Sequence, residues 1–152
     1  MSNPQPSYWS SQRLFQTFST DATAAGIEFV GTTLFLLLGL GGIQAATGDA
    51  LQSGSTVEKT FYIATSMGFS LLVTAWLFYR VTGGLFNPNI TLALFLVGVV
   101  GPVRFVLFCI AQMVGAIAAS AIIYGLTPGP LGIKYDFRAG LEASGVDRLV
   151  LF

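Results

Sequence analysis

The sequence predicts an all-α membrane protein with three transmembrane helices and one re-entrant half-helix. Of its 152 residues, 53% are hydrophobic and only 9% are charged, and the mean hydropathy is +0.73. Three apolar stretches reach the length of about 20 residues that a helix needs to cross a bilayer. A fourth apolar stretch is too short to cross and begins with Asn87-Pro88. We therefore expect a multi-pass integral membrane protein embedded in lipid.

The first predicted span covers about residues 24–45 and follows a polar tail over residues 1–20. This span contains Glu28. A carboxylate at mid-depth in a membrane helix costs about 2.5–3.5 kcal/mol on insertion scales, so such residues usually face a protein interior or a cavity. Two interpretations stay open: Glu28 reaches the interface from near the helix start, or it accepts backbone N–H bonds from a re-entrant loop.

The second and third predicted spans cover about residues 61–80 and 103–126, and a polar loop precedes the second. Small residues in both spans have the four-residue spacing that allows helices to approach closely. Gln112 is a polar residue inside the third span. A lone intramembrane glutamine usually forms a hydrogen bond between helices, and we expect that role here.

Between these two spans, Asn87 and Pro88 predict the start of a short helix over about residues 88–97. Asparagine is a favoured N-cap residue, and proline suits the first helical position. At about 1.5 Å per residue the helix is roughly 15 Å long, half the hydrocarbon core of about 30 Å. Its irregular entry must be buried in protein or line a water-filled cavity, because lipid satisfies no hydrogen bonds. Its positive end then lies near the membrane midplane.

The charges predict the orientation. Three basic residues fall on one side if the half-helix dips in and returns, namely Arg13, Arg80 and Arg104, while Lys59 falls on the other. The positive-inside rule makes that side, and the N-terminus, cytoplasmic. The basic residues of the tail after the third span favour the opposite orientation. The kind of membrane does not follow from the sequence.

Composition also excludes several function classes. The chain has no histidine, one cysteine (Cys109) and a formal net charge of zero. Without basic clusters there is no support for nucleic-acid binding, and one cysteine cannot form an internal disulfide framework. The spans contain no paired carboxylates, nucleophile motif or metal-ligand spacing. We therefore expect no catalytic residue, no metal, no cofactor and no enzyme activity.

Four motifs occur in a specific order: GIEFVGTTLFLLLG with its glutamate, GG-x-x-NP after the second span, ITLAL, and AQMVGA in the third span. This order resembles the N-terminal half of an aquaporin over about residues 24–130. AWLFYRVTGGLFNP and LTPGPL are similar to the water-channel branch of fungal aquaporins. Residues 131–152 lie beyond the resemblance, and we expect an irregular tail there; native and non-native coding sequence both stay open as interpretations of this segment.

The resemblance implies a fold of two inverted repeats, each with three spans and one half-helix, and four monomers per assembly. It implies that Asn87 donates its amide hydrogens to passing water and that Pro88 begins the half-helix. Glu28 and Gln112 match the family's buried polar residues that brace the loops. The pore-lining backbone carbonyls would be those of Gly83, Gly84, Leu85 and Phe86.

The chain departs from the family pattern in three ways. Asn89 stands where the family usually has alanine in the Asn-Pro motif. Met67 occupies the place of a phenylalanine in the outer constriction of water-selective members, so it either shapes a different filter or is ordinary packing. The second repeat, with its own Asn-Pro motif and the constriction arginine, is absent.

We therefore expect a channel component of the aquaporin type for water or small neutral solutes, present as a half-length chain. A single half cannot enclose a path, so two copies in opposite orientations would be needed, and a homotetramer of the family type is an open question. The alternative is a truncated, non-conducting membrane fragment or degenerate copy. Flux measurements distinguish the two.

Overall fold

The computed structural model describes residues 18–47 and 55–127, which form four helices. They are α1 (Phe18–Thr47), α2 (Thr56–Thr82), α3 (Pro88–Leu96) and α4 (Pro102–Leu126). The helices α1, α2 and α4 are long and apolar enough to cross a membrane, whereas α3 has only nine residues. The predicted fold class, an all-α membrane protein, is confirmed. Most of the predicted polar tail, residues 1–17, and the predicted tail over 131–152 lie outside the described residues.

The helices extend beyond the predicted spans at several ends. Residues 18–20, assigned to the polar tail from the sequence, form the first turn of α1. The start of α2 lies at Thr56 because a capping box precedes it: Ser55 Oγ accepts the N–H of Glu58 (3.2 Å), and Glu58 Oε2 accepts the N–H of Ser55 (3.0 Å). These reciprocal bonds satisfy two N–H groups that a helix start otherwise leaves free.

Helix α1 is central and packs against both α2 and α4. Small residues allow the close approach. A Cβ atom added to Gly42 would lie 1.7 Å from Ser66 Oγ, and one added to Gly115 would lie 3.0 Å from the carbonyl oxygen of Phe29. The hydroxyl of Ser70 on α2 donates to the carbonyl oxygen of Phe35 on α1 (2.5 Å). Close backbone approach and interhelical hydrogen bonds of this kind hold membrane helices together.

An ion pair joins the starts of α1 and α4. Both Nε and Nη2 of Arg104 contact Asp21 Oδ1, at 2.8 and 2.7 Å. The Asp21 side chain is 8% exposed and that of Arg104 is 40% exposed. The sequence did not predict this contact, and it fixes the ends of α1 and α4 that precede their membrane-spanning parts.

Helix α2 buries polar residues and exposes apolar ones. Its buried residues are Ser70 and Thr74, whereas Trp76 is 84% exposed. Other large apolar side chains of α2 are also exposed, namely Phe61, Phe69, Leu72, Leu77 and Tyr79. This arrangement suits a helix whose outer face contacts hydrocarbon, since lipid tails are as apolar as these side chains.

Candidate functional site

The segment that leads from α2 into α3 depends on two glycines with left-handed backbone. Gly83 (φ 92°) ends α2, and its N–H donates to the carbonyl oxygen of Tyr79 at 3.0 Å. Gly84 (φ 63°) follows, and a Cβ atom there would lie 3.3 Å from the Cα atom of Ala75. Glycine adopts positive φ without a steric penalty. The chain therefore reverses within a few residues and runs back alongside α2.

Asn87 caps the half-helix as predicted from its sequence. Its backbone is extended (φ −146°, ψ 124°), and its Oδ1 atom accepts the N–H of Asn89 at 2.9 Å. Pro88 occupies the first turn. Because a backbone N–H can only donate, this bond places Oδ1 at the helix and leaves Nδ2 on the other side of the amide. Asn87 is an exposed residue of the described segment.

Glu28 lies at the centre of a buried hydrogen-bond network. Its Oε1 atom accepts the backbone N–H of Phe86 (2.5 Å) and the side-chain amide of Gln112 (2.9 Å). The residue is 0% exposed, so its carboxylate lies in the protein interior and not at an exposed helix end. Buried charged groups require such partners. The network connects α1, α4 and the segment over residues 83–86 that leads into α3.

Gln112 extends this network to the half-helix. Its Nε2 atom must face Glu28, because a carboxylate only accepts, and the same nitrogen donates to Thr91 Oγ1 at 2.9 Å. The hydroxyl of Thr91 lies 3.0 Å from the carbonyl oxygen of Asn87, to which it donates. All three side chains that join α1, α3 and α4, those of Glu28, Thr91 and Gln112, are at most 1% exposed.

Phe86 has an uncommon backbone conformation and a tightly packed ring. Its φ of 47° lies in the left-handed region, which costs a non-glycine residue about 1–3 kcal/mol. The ring stacks on Phe35 (centroids 6.2 Å apart) and meets Phe78 edge-on (6.1 Å). It lies so close to Gly31 that a Cβ atom there would be 2.3 Å from Phe86 Cε1. The residue is 4% exposed.

The exit from α3 mirrors the entry in its use of glycine. Gly98 has φ 79°, and its N–H donates to the carbonyl oxygen of Phe95 at 3.0 Å. Phe95 stacks on Phe105 of α4, with ring centroids 4.7 Å apart. Pro102 then begins α4 after Gly101 as its N-cap. These contacts hold the end of the half-helix against α4.

The structure brings most of the site residues expected from the sequence into one cluster. Glu28, Phe86, Asn87 and Gln112 are linked directly or through Thr91. Asn89 is exposed on α3. The lining role expected of the backbone carbonyls of residues 83–86 stays a prediction.

Met67 does not belong to this cluster. It is on α2 with its sulfur against Gly39 of α1, where a Cβ atom would be 2.4 Å from Sδ. That contact is typical of packing between two helices. The constriction role expected from the sequence stays a prediction.

Two residues of the cluster were missed by the sequence analysis. Thr91 follows Asn87 by four residues, the spacing at which a helical hydroxyl can reach back to a carbonyl oxygen. That spacing could have identified it. Gly31 gave no signal, because its role depends on the ring of Phe86, which is far away in sequence.

Most of the chain matches one known protein family. Residues 16–149 match the family model described as Major intrinsic protein. The chain belongs to the major intrinsic protein family. The match extends at both ends beyond residues 24–130, over which the resemblance was found, and includes much of the segment expected to be an irregular tail.

Fungal relatives in this family are similar to the chain. Aquaporin-1 of Laccaria bicolor is 56% identical over 135 residues, which cover 86% of this chain and 43% of that protein. Aquaporin-2 of Botryotinia fuckeliana (strain B05.10) is 52% identical over 107 residues, 67% of this chain and 28% of that protein. Aquaporin-1 of Gibberella zeae is 46% identical over 124 residues, 78% of this chain and 39% of that protein. The resemblance to fungal aquaporins is confirmed.

The chain spans less than half the length of these relatives. Together with three apolar helices long enough to cross a bilayer, membership of this family makes the chain an integral membrane protein.

Proposed function

We propose that the chain forms one half of a transmembrane channel for water or other small neutral solutes. The main support is the amide of Asn87: Oδ1 is occupied by the N–H of Asn89, and Nδ2 has no hydrogen-bond partner among the described residues. Asn87 begins a helix of nine residues, about 14 Å long, which reaches only part of the way across a bilayer. An unpaired donor at that depth suits a polar solute that passes through.

The proposed mechanism uses the two ends of the water molecule. Asn87 Nδ2 donates a hydrogen bond to the water oxygen, and the backbone carbonyls of residues 83–86 accept hydrogen bonds from water. The positive end of α3 opposes cations, since helix N-termini carry about half a positive charge. Glu28 and Gln112 brace the loop through the bonds described above, and no catalytic step is involved.

The exposed face around Asn87 and Asn89 requires a cover. In lipid an unsatisfied polar group costs several kcal/mol, so polar side chains and irregular backbone at membrane depth must be buried or wet. We propose that a second, inverted three-span unit supplies this cover. For the present chain a second copy in the opposite orientation would serve. The native mass in detergent tests this directly, because a channel built from this chain alone requires at least two copies.

We propose a cytoplasmic N-terminus. Arg80 and Arg104 flank the half-helix and fall on one side of the membrane, and Lys59 near the start of α2 falls on the other. Basic residues near the ends of spans favour the cytoplasmic side. Protease accessibility of an N-terminal tag in sealed vesicles measures the orientation, and an even mixture of both orientations would indicate inverted insertion.

The test of the channel is osmotic water flux into liposomes that contain the full chain. Asn87→Asp keeps a side-chain oxygen that caps α3 and removes the amide donors, so we expect a folded protein whose flux falls to that of empty liposomes. Asn89→Ala is the matched control, because its N–H still reaches Asn87 Oδ1 and its side chain makes no hydrogen bond among the described residues. We expect its flux to remain above that of the empty liposomes.

Equal flux in the unmodified chain and Asn87→Asp would refute the role of Asn87. No flux from the unmodified, folded chain would refute conduction by this chain alone and would favour the non-conducting alternative.

A further inference from the structure

We propose that Phe86 is a positioning residue of the segment over residues 83–86, called the pore loop below. Its ring is held in the space that the missing side chain of Gly31 leaves on α1. The proposal rests on the channel function proposed above, which it deepens. In it, the ring of Phe86 holds the loop backbone, and the backbone in turn sets the position of Asn87.

The first step of the argument is the backbone. Phe86 has φ 47°, a conformation that L residues with a Cβ atom adopt only when their surroundings impose it. Its N–H is directed to Glu28 Oε1 at 2.5 Å. One hydrogen bond does not prevent the residue from relaxing, because a neighbouring amide could rotate towards the same oxygen. A further contact must therefore hold the backbone of Phe86 in the left-handed conformation.

The second step is the ring. The ring of Phe86 packs against Phe35 and Phe78, and it fills the space that a side chain at position 31 would take. The absence of a Cβ atom at Gly31 is therefore a requirement of this ring position, since real Cβ atoms do not approach a ring carbon to 2.3 Å. Because protein interiors are packed densely, a ring enclosed in this way can occupy only one position.

The third step is the consequence for Asn87, which directly follows Phe86. A loop displaced from α1 would break the bond to Glu28 and move the N-cap of α3. Phe86 therefore acts through Asn87 and does not itself need to contact the solute.

The test uses loop opening, measured independently of flux. In a Cys109→Ser background, which leaves no native thiol, Leu85→Cys places a reporter in the loop, where Leu85 is 9% exposed. A water-soluble maleimide labels this thiol in the full chain in liposomes when the loop opens. Gly31→Ala should raise the labelling rate roughly tenfold, the order expected when a methyl group is forced into a packed interior.

Gly41→Ala is the matched control on the same helix, because a Cβ atom there would meet nothing within 4 Å. Its labelling rate should stay within about twofold of the reporter chain, as is usual for a change without steric conflict. Equal labelling of Gly31→Ala and Gly41→Ala would overturn the proposal.

A second substitution tests whether the ring is the cause. Phe86→Leu keeps a side chain with the same backbone preference but removes the ring, so Gly31→Ala/Phe86→Leu should label more slowly than Gly31→Ala alone. Phe78→Leu should give no such rescue, since Phe78 is only a 3.2 Å neighbour of the added Cβ atom. Equal rescue by both would assign the conflict to general crowding and overturn the proposal.

If Gly31→Ala does not fold, Phe86→Leu alone still tests the proposal. The thiol at position 85 should then react severalfold faster than in the reporter chain, because the ring contacts that hold the loop against α1 are lost. An unchanged labelling rate would overturn the proposal. Flux per inserted chain, measured without the reporter substitutions, should fall in Gly31→Ala and in Phe86→Leu, and the double variant Gly31→Ala/Phe86→Leu should conduct more than Gly31→Ala alone. Absence of flux in the unmodified chain would refute the channel function, and the labelling rates would still decide the role of Phe86.

Discussion

Replacing Glu28 by leucine should strongly destabilise the fold. Glu28 Oε1 accepts two hydrogen bonds, from the N–H of Phe86 and from Gln112 Nε2, in a site with no exposed surface. Leucine has no acceptor, so two buried donors lose a partner, and each such loss costs about 1–3 kcal/mol. The expected loss in the free energy of unfolding is therefore about 2–6 kcal/mol. The lower end applies if Gln112 keeps its bond to Thr91.

Glu28→Gln is the matched control. Its side-chain oxygen can accept the same two bonds, and Glu28 Oε2, where the amide nitrogen would lie, has no partner among the described residues. The bonds weaken without the charge, but a neutral amide is less costly to bury. The buried amide nitrogen at the Oε2 position has no acceptor, so we expect a loss of about 1–3 kcal/mol in the free energy of unfolding, smaller than for leucine because both bonds to the remaining oxygen are kept.

The assay is denaturant-induced unfolding of the chain in detergent micelles, followed by circular dichroism, together with the yield of monodisperse protein. The leucine variant should unfold at clearly lower denaturant than the glutamine variant. Equal midpoints for the two variants would refute the argument, because they would mean that the two hydrogen bonds contribute nothing to holding the loop.

Three further predictions concern other contacts. Thr91→Val should cost about 1–3 kcal/mol, since it removes the acceptor of Gln112 and the donor to Asn87 while keeping the shape; Thr91→Ser should be close to wild type in the same assay. Gly42→Ala should cost about 1–3 kcal/mol through overpacking against Ser66, relieved by Ser66→Gly, and no relief would contradict this cause. Asp21→Asn should lower stability by about 1 kcal/mol at low salt and less at high salt, because it weakens a partly exposed ion pair; a loss independent of salt would indicate another role for Asp21.

Much of this architecture could be predicted from local sequence. Asn87-Pro88 specifies a helix start through the chemistry of two adjacent residues, and α3 begins there. The length of the apolar stretches predicted the three long helices, because the bilayer fixes how many apolar residues a span needs. The capping box at Ser55 and Glu58 is also a local pattern, but it lies in a polar segment where hydropathy gives no sign of a helix, so the predicted span begins later than α2.

The contacts that hold the site could not be predicted in the same way. Glu28 and Gln112 stand out as polar residues in apolar helices, which indicates that each needs a partner, but their 84-residue separation gives no sign that they pair with each other. Gly31 is one glycine among several in α1, and only the position of a ring from another element distinguishes it from Gly41. Asp21 and Arg104 are likewise separated by 83 residues. Such partners are set by packing, which propensity and periodicity do not report.

The network also has a consequence for the order of events during synthesis. Gln112 is made 21 residues after Thr91, which corresponds to roughly one to four seconds at about 5–20 residues per second. Until it arrives, the side chains of Thr91 and Glu28 lack the amide that joins them, although the loop already has its contacts with α1 and α2. The half-helix can therefore join this network only after the segment that contains Gln112 has been made, and a pause in translation after Leu96 would prolong the stage at which Thr91 and Glu28 lack this link.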